Sequence, residues 1–237
     1  MTYSKVVKAE FISRPNRFIA NVKLNGEAKT VHVKNTGRCR ELLLPGSTVY
    51  LAKGESPTRK TEYDLIAVEK VTKNGTILIN MDSQIPNQVC EELLRSGAIF
   101  SRNAKIRREY THKSSRFDFY IEDGDRKILL EVKGCTLESE GVASFPDAPT
   151  ERGVKHVREL ISATAEGYEA YIVFIIQMKG VYELRPNDIT HKEFGDALRE
   201  AEKSGVKILA FDCIVTPDTI TFDKDISINL NTGVEIL

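Results

Sequence analysis

Two short segments constrain this chain more than any others. Arg116-Phe117-Asp118-Phe119-Tyr120 and Leu129-Leu130-Glu131-Val132-Lys133 read as strands, with Glu122-Asp123-Gly124-Asp125 turning between them. Successive side chains of a strand point to opposite faces, which puts Glu131 and Lys133 on one face and Leu130 and Val132 on the other. By the same rule Asp118 and Tyr120 lie opposite Phe117, Phe119 and Ile121. Two carboxylates and an ammonium on the polar side of an apolar hairpin form a set able to hold a divalent metal beside a phosphate. A glutamate and a lysine two residues apart also occur as a plain charge pair on exposed strands, so the spacing alone leaves both readings open.

The chain has 237 residues, 41% apolar and 29% charged, enough for one large domain or two small ones. No apolar run approaches the roughly 20 residues of a membrane span. Met1-Thr2-Tyr3-Ser4-Lys5 lacks the apolar core of a signal peptide, so a cytoplasmic protein without membrane association is expected. Cys39, Cys90, Cys135 and Cys213 are scattered and form no C-x-x-C pair, and the four histidines are equally dispersed. Reduced thiols and no zinc site follow. The net charge of zero hides an asymmetry: residues 1–60 carry twelve Lys and Arg against four Asp and Glu, and the remainder carries twenty-two against thirty. A basic first part points to an anionic partner, of which nucleic acid is the commonest.

The first part reads as six short strands: Val6–Ile12, Arg17–Leu24, Thr30–Val33, Ser47–Ala52, Tyr63–Val71 and Thr76–Asn80. Asn25-Gly26 and Asn74-Gly75 are hairpin signals, because both central residues of such turns take positive φ. This texture fits a small barrel of the oligonucleotide-binding (OB) type, with an SH3-like barrel giving a similar pattern. After Asn80 the pattern changes. Ile85, Val89, Leu93 and Leu94 recur at helical spacing up to Gly97, and strands follow at Lys105–Tyr110, Arg116–Ile121 and Lys127–Lys133. A Gly- and Pro-rich loop is expected from Gly134 to Pro149, then a helix capped by Thr150, a buried strand at Ala170–Ile176, a helix at Lys192–Lys203 and a strand at Val206–Phe211. The expected organisation is a barrel over 1–81 and an α/β domain over 82–237.

The order αβββαβ, with Asp118 on the second strand and Glu131-Val132-Lys133 on the third, resembles the restriction-endonuclease-like PD-(D/E)xK nuclease core. The resemblance implies that Asp118, Glu131 and the Val132 carbonyl bind Mg2+, with Mn2+ as an alternative, and that Lys133 positions or helps deprotonate the attacking water. Asp118, Glu131 and Lys133 are then the catalytic candidates, their carboxylates converging within one metal's reach. A longer match is more specific. Ser144-Phe145-Pro146-Asp147-Ala148-Pro149-Thr150-Glu151-Arg152-Gly153-Val154-Lys155-His156, preceded by Glu131-Val132-Lys133-Gly134-Cys135-Thr136-Leu137, resembles the signature of the sugar fermentation stimulation protein family. Asn35-Thr36-Gly37-Arg38-Cys39-Arg40-Glu41-Leu42-Leu43-Leu44-Pro45-Gly46 matches that family's other block, and Ser115–Phe119 and Gly205–Ala210 match as well. The resemblance implies an OB-like barrel followed by a nuclease-like domain, DNA binding without sequence preference, and a part in sugar (maltose) metabolism. It leaves open a phosphodiesterase and a non-catalytic DNA-binding regulator.

Nucleic acid, DNA foremost, is the expected partner, with a homodimer as a further expectation. Candidate phosphate contacts are Arg17, Lys34, Arg38 and Arg40 in the barrel, the basic stretch with Lys105, Arg107, Arg108 and Arg116, and Arg152, Lys155 and His156 on the later helix. An ion pair of Lys155 with Glu151 or Glu159 competes with that role. Glu91, Glu92 and Glu109 are weaker candidates for an additional acid. Phe11, Phe18 and Tyr50 are the barrel aromatics, expected mostly in its core, which favours backbone-directed binding over base stacking.

Overall fold

The computed structural model describes residues 1–35, 37–54, 56 and 58–231. Six strands open the chain: β1 (Val6–Asn16), β2 (Ile19–Leu24), β3 (Glu27–Val33), β4 (Thr48–Lys53), β5 (Tyr63–Thr72) and β6 (Gly75–Asn80). Their order is β3-β2-β1-β4-β5-β6, and a parallel pairing of β3 with β5 (His32 to Asp64, Val33 to Leu65) closes the first five into a barrel. Alternation fills its interior: Ala20, Val22 and Leu24 point inward from β2, meeting Phe11, Val31, Val49 and Leu51. The turn between β2 and β3 is built as expected, with Asn25 and Gly26 both at positive φ (52° and 87°). The later hairpin differs from expectation. Thr72 pairs with Gly75, so Lys73 and Asn74 are the central residues and Gly75 opens β6.

The second part contains α1 (Ile85–Ser96), β7 (Lys105–His112), β8 (Ser115–Asp123), β9 (Arg126–Cys135), β10 (Leu137–Ser139), β11 (Val142–Phe145) and α2 (Glu151–Thr164). It continues with β12 (Glu169–Ile176), β13 (Glu183–Pro186), α3 (Asp188–Lys203), β14 (Lys207–Val215), β15 (Ile220–Asp225) and β16 (Ser227–Ile228). The main sheet has the order β15-β14-β12-β9-β8-β7. Its centre, β9-β12-β14, is parallel and both flanks are antiparallel. Helix α1 lays Val89, Leu93 and Leu94 on one face against Phe119, Leu130 and Val132, while α2 lays Val154, Val157 and Leu160 on the other against Leu129 and Phe174. Strand β12 is therefore buried on both sides, as its unbroken apolar run requires.

The segment expected as a loop after Gly134 carries β10 and β11 instead. They join β13 and β16 in a small separate sheet of order β10-β11-β13-β16. Glu140 and Gly141, both at positive φ, make the tight turn between them. Three- and four-residue strands are too short to show an alternation, so only the turn residues were visible. Helix α3 starts at Asp188 because the Asn187 side chain caps Thr190 N–H, but His191 (φ −158°, ψ 84°) interrupts the first turn. Regular helix resumes near the expected Lys192.

The barrel interior and the α2 face of the main sheet form one continuous apolar cluster. One buried amide locks the junction. Gln177 donates Nε2–H to the Asn80 carbonyl, the Asn80 Oδ1 and the Asp82 carbonyl (3.0–3.1 Å), and the Gln177 main-chain carbonyl accepts Asn80 N–H. Gln177→Leu strands buried acceptors that cost about 1–3 kcal/mol each when unsatisfied. Chemical denaturation should show a loss on the order of 2–4 kcal/mol, whereas a change below about 0.5 kcal/mol would deny Gln177 this role.

Candidate functional site

Strands β8 and β9 pair from Asp123–Arg126 down to Phe119–Leu130, and there the ladder ends. Past that point the Asp118 carboxylate replaces the backbone partner: Oδ2 accepts the Val132 N–H at 2.7 Å. Its Oδ1 accepts Nδ2–H of Asn87 on α1, also at 2.7 Å. Asp118 thus lies between the two strands, held from the sheet and from the helix. The simple alternation expected for β8 fails here. Phe119 and Ile121 pack with α1, but Phe117 packs with the opposite cluster, its ring edge-on to His156 at 6.0 Å. Glu109 on the neighbouring strand β7 has φ 53°, a local twist of the kind that re-aims side chains at a sheet edge.

Glu131 is buried, with its side chain 6% exposed. Its Oε1 accepts two hydrogen bonds, from Lys133 Nζ at 2.6 Å and from His156 Nδ1 at 2.5 Å. Arg152 Nε donates to His156 Nε2 at 3.4 Å, which selects the tautomer whose proton is on Nδ1 and points at Glu131. The other oxygen, Oε2, is buried and has no hydrogen-bond partner among the described residues. Burial alone would raise the Glu131 pKa, but the Lys133 ammonium and the His156 contact outweigh it and hold the carboxyl below the ordinary glutamate value. Asp118 moves the other way. Burial and then the charge of Glu131 push its pKa above the ordinary aspartate value, despite the Val132 and Asn87 donors. One carboxylate is kept charged and its neighbour is penalised for charge, a field that a divalent cation would relieve.

These donors fit an oxygen-preferring divalent cation: Glu131 Oε2 is orphaned, Asp118 retains lone pairs, and the Val132 carbonyl belongs to the same strand. A different cluster, Glu151, His191 and Glu193, brings ligand-type atoms within 4.8 Å of one another. There His191 Nδ1 accepts the Thr150 N–H, so the ring proton sits on Nε2 facing Glu151 at 3.3 Å. A nitrogen carrying that proton has no lone pair for a metal, and the cluster acts as a hydrogen-bonded tie between the starts of α2 and α3.

The remaining candidates separate by what they touch. His156, expected at a phosphate, is 5% exposed and faces Glu131 instead, with Arg152 exposed behind it. Lys34, also expected at a phosphate, lies between Asp64 (3.5 Å) and the buried Asp82 (3.3 Å). Arg107 pairs with Glu122, Arg108 with Glu91 and Arg116 with Glu109, while Lys155 is 3.6 Å from Glu159. Glu92 meets the N-terminal amine at 2.9 Å, so none of Glu91, Glu92 and Glu109 joins Asp118 and Glu131. Arg17, Arg38, Arg40 and Lys105 are exposed and have no carboxylate partner among the described residues. Thr36, within the Asn35–Gly37 turn, lies outside the described residues.

Residues the spacing did not reveal complete the site. Asn87 orients Asp118, and no periodicity marks a polar residue inside an amphipathic helix as functional. Arg14 donates to the carbonyls of Gly37 and Arg38 (both 2.8 Å), Arg17 (2.8 Å) and Asn35 (2.6 Å), fastening the loop that follows β3. That loop then meets the second domain: Asn35, Gly37, Ser83, Gly134, Thr136 and Asp147 line an interdomain cleft of ≈ 160 Å³, and Gly134 follows Lys133 in the chain. The two sequence blocks around Asn35 and Asp147 therefore face each other across this cleft.

Comparison with known proteins decides the family. A family model described as "SfsA N-terminal OB domain" matches residues 12–79, and one described as "Sugar fermentation stimulation protein RE domain" matches residues 84–219. The chain belongs to the sugar fermentation stimulation protein family. A sugar fermentation stimulation protein homolog of Desulfitobacterium hafniense (strain DSM 10664 / DCB-2) is 57% identical over 233 residues, 98% of this chain and 100% of that protein. A homolog of Clostridium beijerinckii is 52% identical over 220 residues, 93% of this chain and 96% of its own length. Among solved structures, Pyrococcus furiosus SfsA in complex with Ca2+ is similar with a TM-score of 0.83 at 27% identity, covering 97% of this chain and 98% of that one. The first domain is an OB domain, as expected. The four cysteines are buried and unpaired, and no helix among the described residues is long and apolar enough to cross a membrane.

Two outcomes test the site. In metal-free protein, Lys133→Met removes the cation that lowers the Glu131 pKa, so the Glu131 carboxyl resonance should titrate at higher pH by carbon-13 NMR; no upward shift would refute the pairing. Because a depressed carboxyl stabilises the fold above its unfolded value, this variant should lose that share of stability at neutral pH and converge with wild type in acid.

Proposed function

We propose that this protein is a divalent-metal-dependent phosphodiesterase acting on nucleic acid, through a PD-(D/E)xK-type site of Asp118, Glu131 and Lys133. The observation that carries this reading is the buried, unpartnered Glu131 Oε2, in a carboxylate whose other oxygen is taken by Lys133 and His156 and whose charge adds to burial in raising the Asp118 pKa. An unpaired buried carboxylate oxygen is costly, and at Glu131, unlike the other such oxygens at Glu159, Asp188 and Asp212, it belongs to a carboxylate that acts on the Asp118 charge, so that a cation would satisfy both. The relative from Pyrococcus furiosus is described in complex with Ca2+, an ion with the same preference for oxygen donors. Asp118, Glu131 and the Val132 carbonyl would hold Mg2+ or Mn2+ here.

When bound, such a cation lowers the pKa of water and neutralises charge on a phosphate. The chain's own groups supply the rest. Lys133, with its side chain 14% exposed, stands where an ammonium can orient a water toward a phosphate and steady the negative charge that develops. His156 fixes the Glu131 carboxylate, and Asn87 fixes Asp118, so neither must reorganise during reaction. The exposed arginines of the barrel would hold the phosphate backbone without reading sequence.

Oligonucleotides of DNA and RNA incubated with the protein and Mg2+ or Mn2+ should be cut, and Asp118→Ala, Glu131→Gln and Lys133→Met should each lower the rate by on the order of 10²–10³. Cleavage undiminished in all three variants, or absent with every substrate, would contradict the reading. Thermal unfolding should also rise with Mn2+, by about 2.7 kcal/mol of stability at a hundred times Kd, and lose that rise in Asp118→Ala.

A further inference from the structure

The two basic regions of this protein differ in whether carboxylates already answer their charges. From β7 to the start of β8, Arg107, Arg108, Lys113 and Arg116 each face a glutamate, which leaves Lys105 as the cation of that stretch with none among the described residues. On the barrel, Arg17, Arg38 and Arg40 have no carboxylate partner among the described residues, and together with Arg14 they line a pocket of ≈ 210 Å³. The pocket is built in advance. Arg14 donates from its two terminal nitrogens to four carbonyls, tying Asn35, Gly37 and Arg38 to the turn at Arg17 and setting the three other arginines around the opening. Arginine suits this clasp because its planar fork donates in fixed directions, which a lysine cannot copy.

Beside the pocket stands Phe18, 48% exposed, although the barrel's aromatics were expected in the core. Phe18 lies in the turn between β1 and β2, whereas Phe11, within β1, is 2% exposed. The Arg17 guanidinium lies over the Phe18 ring at 5.3 Å from its centroid, and Asn16 Oδ1 accepts the Phe18 N–H, so the ring is held by residues that also line the pocket. A duplex presents phosphates outward and keeps its bases stacked inside; an exposed aromatic beside a phosphate-sized cationic pocket is useful only to a base that is already unstacked.

We propose that this face of the barrel binds single-stranded nucleic acid, with backbone phosphate among Arg17, Arg38 and Arg40 and a base stacked on Phe18. The inference rests on the nucleic-acid reading above and adds strandedness to it. Gly37 supplies the route onward, since it lines both the arginine pocket and the interdomain cleft whose floor, Gly134 and Cys135, directly follows Lys133. A strand leaving the pocket past Gly37 would enter that cleft, on the side of β9 that follows Glu131 and Lys133.

The test is fluorescence anisotropy of the full chain with labelled single-stranded DNA, single-stranded RNA and a blunt duplex, in EDTA so that nothing is cut. The expected result is binding of at least one single strand about tenfold or more tighter than the duplex. Phe18→Ala should weaken that binding about tenfold, leave duplex binding unchanged and leave the Mn2+-dependent thermal shift intact. Arg38→Ala and Arg40→Ala should each reduce the slope of log K against log salt by about 0.7. Duplex bound as tightly as single strands, or a Phe18→Ala variant that binds single strands like wild type, would overturn the proposal while leaving a nuclease that acts on duplex standing. Absence of binding to any of the three would overturn it too, and the thermal shift then reports separately on the metal site.

Discussion

A backbone N–H in the middle of a sheet normally has a carbonyl to bond, and the Val132 amide has a carboxylate instead. Substituting Asp118 for that carbonyl ends the β8–β9 ladder one residue beyond Phe119 and parts the strands where Glu131 and Lys133 project. Everything chemical in the site depends on this opening. Were the ladder to continue, the Asp118 side chain would stand out from one face of the sheet and a backbone carbonyl would take the Val132 N–H. Asn87 on α1 takes the second Asp118 oxygen, and His156 on α2 takes one oxygen of Glu131, so both helices that sandwich the sheet also set its carboxylates. The electrostatics follow from the same arrangement. A lysine and a histidine keep Glu131 charged, and that charge, with burial, makes Asp118 resist ionisation.

Besides the shared apolar cluster, polar contacts tie the barrel to the domain that carries this site. Gln177, at the end of β12, ties Asn80 and Asp82 in place, and the chain runs from there straight into α1. The register of Asn87 against Asp118 thus depends on a buried amide in the interdomain junction. On the other side of the junction, Arg14 holds the loop that carries Gly37 and Arg38 against the second domain. Basic charge is distributed unevenly: Arg107, Arg108 and Arg116 are answered by glutamates, whereas Arg17, Arg38 and Arg40 on the barrel have no carboxylate partner among the described residues.

Much of this was legible in the sequence, for reasons that differ by element. The barrel strands and the helices α1 and α2 follow from alternation and helical spacing over six residues or more, enough for a pattern to repeat. Asp118, Glu131 and Lys133 stand out because strand geometry converts spacing into a shared face. The small sheet of β10, β11, β13 and β16 was hidden, because two to four residues carry less than a readable period. Phe117, expected on the face of Phe119 and Ile121, packs with the other cluster, where the strand leaves the β8–β9 ladder and simple alternation no longer holds. Lys34 and His156 looked like free cations, yet their acidic partners, Asp64 and Asp82 for one and Glu131 for the other, are tens of residues away. Long-range pairing of that kind is written in the fold.

The central claim is that Asp118 and Glu131 together hold one divalent cation. Anomalous diffraction from crystals grown with Mn2+ tests it most directly, since the ion is located without reference to activity. The account requires an anomalous peak between the Asp118 and Glu131 carboxylates, in contact with Glu131 Oε2. A peak only at Glu151, His191 and Glu193, or no ordered ion at Mn2+ concentrations that raise the melting temperature, would contradict it.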